Sequence, residues 1–516
     1  MGVERERQTS HPTAIPIAMA AARIHQRALA IITPPNPRGC AGLRMRSVQR
    51  PLRKPYSMIG VYANPIPGVA EAGHRGQQSP MMPLRRPRPR GKGGATSVNV
   101  WIGLAASALL AWIGLLLGRG FFWWPTPRLA PSAPSGGGQA SVIAVIPARN
   151  EAKVLAKTLP SVLGQEYPGS FRTIVVDDRS EDGTGDMVRA VAEAHGATDR
   201  VQVVSGEPLP AGWRGKVWAM HQGVLAAGAN TARDCSSSTS ARTASAVLAP
   251  AQPTARQADF IWLTDADIVH DVWVLRALVD RAESERRDLV STMAKLRADS
   301  WWDRLLVPAF VFFFAKLYPF RLVANPRRRT AGAAGGCILV RRSALERAGG
   351  LAAMRSALID DCALGRLIQS SGGRLWLGFS DGVRSIRGYG SLASVWEMVA
   401  RSAYTQLGHS PVVLLGTVVG MLFLYLLPPC ACVGGAISYA LGAREALWLL
   451  VLGGVTWTLM ALSFIPIVRH HGAPAWVSRL LPIAGVLYTA MTISSAWRHA
   501  RGRGGAWKGR TYSPDD

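Results

Sequence analysis

Cysteine is scarce. The 516-residue chain has six (Cys40, Cys235, Cys337, Cys362, Cys430, Cys432), with no CxxC pair and no histidine at metal-ligand spacing. That spacing gives no sign of a cysteine–histidine zinc site and argues against a disulfide framework, as expected for a domain facing the cytosol. Acidic residues are short as well: 32 Asp+Glu against 59 Lys+Arg give a net charge of +27. No apolar core follows the N-terminus closely, so a secretory signal is not expected. The first hundred residues hold 16 Lys+Arg and 3 Asp+Glu without sustained hydrophobic periodicity. Residues 1–94 are therefore expected to be a disordered basic extension. The paired Met81 and Met82 inside it are a candidate start of the functional chain. Much of the other excess charge flanks apolar runs, at Arg327-Arg328-Arg329 and through the basic tail, 498–516. That placement suits anionic lipid and membrane topology, and nucleic acid is not expected as a partner.

Apolar residues are plentiful: 48% of the chain, with a mean hydropathy of +0.12. Residues 98–117 are an almost unbroken apolar run, long enough to cross a bilayer, with Trp123 and Trp124 after it as interfacial anchors. PSAPSGGGQ (131–139) reads as a linker. From 141 to 406 short apolar strands alternate with helices: SVIAVIP, TIVVDD, VQVVSG and FIWLTDAD as strands, 152–163 and 185–195 as helices. Such alternation predicts an α/β domain with a mostly parallel sheet, whose ligands bind at the carboxyl ends of the strands. Residues 231–257, rich in Ala, Ser and Thr, read as a flexible insertion. A C-terminal transmembrane region is expected over 411–497. Its runs are 411–441, interrupted by Pro428-Pro429 and read as one broken helix or a hairpin, then 446–468 and 477–497.

Three acid pairs stand where chemistry is expected. Asp177-Asp178 end one strand; there they either contact a nucleotide or form the turn that caps the next helix. Asp265 and Asp267 end another. Two carboxylates one residue apart need a cation, and Mg²⁺ or Mn²⁺ with a substrate diphosphate would serve; the alternative is an exposed acidic loop. Asp360-Asp361 open an apolar-periodic stretch, either as a helix cap or with a general base for an acceptor hydroxyl.

Taken together, VIPARNE (145–151), VVDDRSEDGT (175–184), GKVWAMHQG (215–223), TDAD (264–267) and IDDCALG (359–365) resemble family 2 glycosyltransferases of the GT-A fold. Within that family, PARNE, GWRGKVWAMHQGV, TDADI and RLLVPAFVFFFAKLYPF are most similar to the hopene-associated enzymes of bacterial hopanoid gene clusters. The resemblance implies a Rossmann-like GT-A domain (141–406) between an N-terminal membrane helix and C-terminal ones. It also implies a nucleotide-sugar donor and a divalent metal. Pro147, Glu151, Asp177 and Asp178 would line the base and ribose, and Lys216 would lie near the pyrophosphate. Asp265 would contact ribose or metal, and Asp267 would be the main metal ligand. Asp361, beside Asp360, would be the base of a single inverting displacement. The QxxRW motif of processive polysaccharide synthases is absent, with RSAYT at 401–405, which favours a single transfer.

Residues 301–323 are expected to lie as an interfacial helix at the membrane surface, or else inside the α/β core. GAAGG (332–336) is either a close-approach loop or a flexible connection. These readings predict a multi-pass protein of the bacterial inner membrane with its catalytic domain in the cytoplasm and a lipid acceptor, such as a hopanoid. The rivals are an enzyme making a polysaccharide or a glycosylated glycerolipid, and a basic membrane scaffold without catalysis.

Overall fold

The computed structural model describes residues 93–131, 139–233 and 258–502, with the strand pairs 506–507 and 510–511. Most of the expected N-terminal extension, the linker core 132–138, the insertion from 234 to 257 and most of the basic tail lie outside the described residues. Residues 93–94 and 231–233 do not match expectation, because they belong to helices.

Nine strands form one sheet: β1 (Arg128–Leu129), β2 (Val142–Ala148), β3 (Phe171–Asp177), β4 (Val201–Ser205), β5 (Phe260–Thr264), β6 (Ile268–His270), β7 (Leu289–Lys295), β8 (Cys337–Arg341) and β9 (Leu375–Ser385). Their order is β1-β9-β7-β8-β5-β2-β3-β4, with β6 beside β9. The sheet is mostly parallel; β8 runs antiparallel to both β5 and β7. Both faces are covered, so the strands are apolar throughout. Ile143 and Val145 of β2 join one core, while Val142, Ala144 and Ile146 join the other.

The helices are α1 (Gly93–Gly118), α2 (Ala152–Leu163), α3 (Thr184–Ala194), α4 (Gly215–Arg233), α5 (Val274–Ser284), α6 (Trp301–Leu317), α7 (Asp360–Ser370), α8 (Leu392–Ala400), α9 (Ala403–Gln406), α10 (Pro411–Ala440), α11 (Leu447–His470) and α12 (Leu481–Ala500). Five helical segments are long and apolar enough to cross a membrane: 98–118, 301–323, 411–440, 444–470 and 475–500. They differ in what covers them. In the most apolar window of the first and third, 17% and 11% is buried inside the protein, against 67% and 50% for those holding α6 and α12.

The expected interfacial helix is thus corrected. Leu305, Leu306, Val307, Ala309, Val311 and Phe312 of α6 are buried, and Tyr488 of α12 donates its hydroxyl hydrogen bond to Leu306 O at 2.9 Å. Protein covers most of the apolar surface of α6, while Trp301 and Leu317 at its two ends stay exposed. Its N-terminus carries a reciprocal cap between Ser300 and Asp303.

Pro428-Pro429 makes no hairpin. Helix α10 runs through it, loosened to a π-turn at Leu422–Leu426. Neither Pro428 nor Pro429 has an N–H for the carbonyl of Leu424, an orphan that would be costly in an apolar setting. The buried indole of Trp112 in α1 donates to it, Nε1 to O at 2.8 Å. Helices α10 and α11 meet at glycines: a Cβ on Gly453 would stand 2.4 Å from Cys432 N, and one on Gly435 2.4 Å from Leu450 N.

Trp112→Phe should therefore lower stability by about 1–3 kcal/mol, the cost of an unsatisfied buried carbonyl. The thermal midpoint of the detergent-solubilised protein measures this, with the exposed Trp101→Phe as control. Equal midpoints for the two variants would refute the assignment.

Candidate active site

Because β2, β3 and β5 are parallel, their carboxyl ends share one edge. β8 is antiparallel to β5 with Cys337 opposite Thr264, so the loop before it, 332–336, reaches the same edge. That loop is anchored. Thr264 Oγ1 donates to Gly336 O at 2.9 Å, and Ser291 Oγ exchanges hydrogen bonds with Ala334 at 2.8 and 3.0 Å. GAAGG is thus a close-approach loop here. Helix α7 packs on it through Gly365, where a Cβ would meet Gly332 C at 3.0 Å.

At this edge Lys216, in the first turn of α4, joins two of the acid pairs. Its Nζ lies 2.7 Å from Asp265 Oδ1 and 3.0 Å from Asp360 Oδ2. Burial alone would pull its pKa down, but the two carboxylates outweigh that and hold the ammonium charged, above its ordinary range. Asp361 accepts from Gly335 N at 2.9 Å and from Cys362 N at 2.7 Å. Burial first, and Asp360 beside it second, push the Asp361 carboxyl up to about 6. Neither acid acts as the side-chain cap of α7, whose capping position is Ile359.

Asp267 faces a cation the sequence reading missed. Arg387 Nε is 3.1 Å from Asp267 Oδ2, its Nη2 is 3.0 Å from Glu151 Oε1, and Ser385 Oγ also donates to Asp267. Arg387 thereby ties the end of β9 to the ends of β2 and β5. The only signal was an Arg-Gly-Tyr-Gly stretch after an apolar run that Asp381-Gly382 made hard to read as a strand.

The first acid pair divides. Asp177 Oδ1 accepts from Ser180 N at 2.9 Å, and Asp182 accepts from Thr184 N and Ala152 N, so much of this segment builds turns and helix starts. Asp178 is fully buried, with Gly206 so close that a Cβ there would stand 2.9 Å from its Cα. Pro147 is buried on β2, opposite Val176.

Asp265 and Asp267 offer the hard oxygen donors that Mg²⁺ or Mn²⁺ prefers. No three His, Cys, Asp or Glu converge as a metal cage among the described residues. The protein would thus supply one or two carboxylates and leave the remaining positions to phosphates and water, an arrangement that fits Mg²⁺-type ions.

The family profile described as Glycosyltransferase like family 2 matches residues 139–398, half of the chain. The chain belongs to this family. It is an enzyme, and the scaffold reading falls with that. No curated protein matches the chain. Among solved structures it is similar to the mannosyltransferase PcManGT from Pyrobaculum calidifontis, solved with GDP-Man and Mn²⁺, at 17% identity over 77% of this chain and 98% of that one, with a TM-score of 0.39. Glucosyl-3-phosphoglycerate synthase from Mycobacterium tuberculosis, solved with Mn²⁺ and UDP-Glc, is 20% identical over 55% and 86%, with a TM-score of 0.33. Mannosyl-3-phosphoglycerate synthase from Rubrobacter xylanophilus is 19% identical over 52% and 76%, with a TM-score of 0.30. At these identities and scores none of the three bears on the activity of this chain.

Lys216→Met in this glycosyltransferase should leave Asp265 and Asp360 facing each other without their cation. A loss of about 2–3 kcal/mol is expected, below the ~3–5 of a fully buried pair because all three side chains keep some exposure. Losing Lys216 raises the Asp265 pKa further, and a carboxylate raised in the fold loses stability as pH rises. The deficit against wild type, read as thermal midpoints, should be larger near about pH 8 than near about pH 5. A pH-independent deficit would contradict this account.

Proposed function

We propose that the enzyme is a membrane-embedded, inverting glycosyltransferase that moves a sugar from a nucleotide-sugar to a lipid acceptor, with a hopanoid polyol as the leading candidate. The observation that carries this reading is the meeting of Asp265, Lys216, Asp360 and Asp361 in one cleft beside helices whose apolar faces lack protein cover.

On this reading Glu151, Asp177 and Asp178 serve the nucleoside, together with Pro147. Asp267, with Asp265, would hold the divalent cation, which would supply positive charge for the departing diphosphate. Lys216 adds a fixed positive charge near the phosphates. The acceptor oxygen attacks the anomeric carbon, the bond from that carbon to the phosphate oxygen breaks, and the acceptor proton passes to Asp361. Backbone N–H groups of Gly335 and Cys362 keep that carboxylate oriented.

The same reading gives a topology. Helices α1, α10 and α11 cross the membrane, and α12 lies along the catalytic domain. Supporting this, His470 at the end of α11 meets Phe379 of β9 edge to face. Both ends of the α12 segment also touch the domain: Trp476 stacks on Trp301, while Arg498 pairs with Glu397 of α8. With α10 and α11 as a returning pair, domain and tail share the cytoplasmic side of a bacterial inner membrane.

The test is transfer by the purified full chain in lipid discs, with Mn²⁺ and a panel of nucleotide-sugars. Hopanoid polyol acceptors are compared with diacylglycerol, which separates the hopanoid reading from a glycerolipid one. Asp267→Ala and Asp361→Asn should each lower kcat by about a hundredfold or more. Wild-type activity should rise with pH through about 6, as Asp361 loses its proton. Undiminished transfer by either variant would sink the proposed roles.

A further inference from the structure

A second cavity lies against the flank of α7, outside the donor edge. It has a volume of about 360 Å³ and is enclosed by α7, α8, α9, the segment 356–359 and the end of α12. Ile359, Ala363 and Arg366 line it, residues i, i+4 and i+7 of one helical face that begins one residue before Asp360. Its walls carry Arg214, Arg366, Arg401, His409 and His499, with Tyr404, and no Asp or Glu.

Arg366 and Arg401 are exposed, and neither makes an ion pair with a carboxylate among the described residues. His409 and His499 stack with ring centroids 4.1 Å apart and planes at 7°. Burial first, with His499 and Arg214 after it, lowers the His409 pKa, so the positive charge of the walls rests on the arginines. Several cations facing one hollow without an acid repel one another, and an anion in the hollow would relieve that.

We propose that this cavity binds a phosphate group, with Arg366 and Arg401 as its principal ligands. Guanidinium groups suit phosphate because their planar forks match its oxygens in bidentate geometry. The position favours a phosphate that arrives with a lipid. Ser495 and His499 bring in the end of α12, and the opposite wall continues into the helix that opens with Asp360 and Asp361. A headgroup phosphate held there would lie along the flank of the catalytic helix, at the seam between α12 and the catalytic domain. Only its service to an acceptor rests on the proposed lipid transfer; the binding itself does not.

The experiment uses the full chain in neutral detergent micelles. Thermal midpoints are read against phosphatidic acid, against diacylglycerol with the same acyl chains, and against inorganic phosphate. The nucleotide-sugar response with Mn²⁺ is read on the same samples. Phosphatidic acid should stabilise the wild type and diacylglycerol should not. The Arg366→Gln/Arg401→Gln double variant should need about tenfold more phosphatidic acid, or more, for the same shift, as expected on losing charged hydrogen bonds. Arg189→Gln, on an exposed arginine of α3, should follow the wild type. An equal response to inorganic phosphate, lost in the same double variant, also supports the site and makes free phosphate the source. No response to either phosphate, or one unchanged in the double variant, overturns it. Loss of the nucleotide-sugar response alone would count against the proposed function and leave this site standing.

Discussion

Carboxylates gathered at one edge of a sheet repel one another, and the candidate active site exists because two cations hold them. Lys216 bridges Asp265 and Asp360, and Arg387 bridges Asp267 and Glu151. Each cation links acids from different parts of the chain: Lys216 joins the end of β5 to the start of α7, and Arg387 joins β2 and β5 to the segment after β9. The geometry of the cleft is therefore electrostatic as well as topological. Register brings the strand ends together, and the paired charges decide how close their acids can stand.

Backbone groups complete what the cations do not reach. Asp361 has neither Lys216 nor Arg387 as a hydrogen-bond partner, and two N–H groups take its oxygens instead. That depends on Gly335 approaching closely, which in turn depends on Thr264 and Ser291 pinning the loop to β5 and β7. Burial and the neighbouring Asp360 hold the Asp361 pKa up at about 6, against the lowering pull of Lys216 and of those two N–H groups.

How legible this was follows from which interactions are local. Strands β2, β3, β4 and β5 were readable because each is a continuous apolar run ending in acids or turn residues. The helix 152–163 was readable from its periodicity and has those bounds. Acid pairs in TDAD and IDDCALG stand out within a few residues. Arg387 does not, since its meaning lies in partners 120 and 236 positions away. Pro428-Pro429 left a broken helix and a hairpin both open for the same reason: the group that repairs the helix is Trp112, 312 residues from the carbonyl it satisfies. Helix α6 looked like a membrane-surface helix because apolar composition cannot tell lipid from protein as a cover.

The burial of α6 has a consequence for how the parts act together. One continuous apolar core runs from the sheet face, through Leu306 and Phe312 of α6, to Tyr425, Phe464 and Met491 of the apolar helices. Phe312 touches Phe122 on one side and Phe464 on the other, with ring centroids 5.1 and 5.2 Å apart. Close-packed interiors transmit displacement rather than absorb it. The cleft is consequently fixed relative to the helices beneath it, and under the proposed topology the domain is not a tethered body free to choose its distance from a bilayer. For the proposed transfer this matters more than reach. The acceptor must bring its hydroxyl to a carboxylate whose depth is set by packing, so the length of the acceptor's polar part, measured from its apolar anchor, becomes a selection rule imposed by the fold.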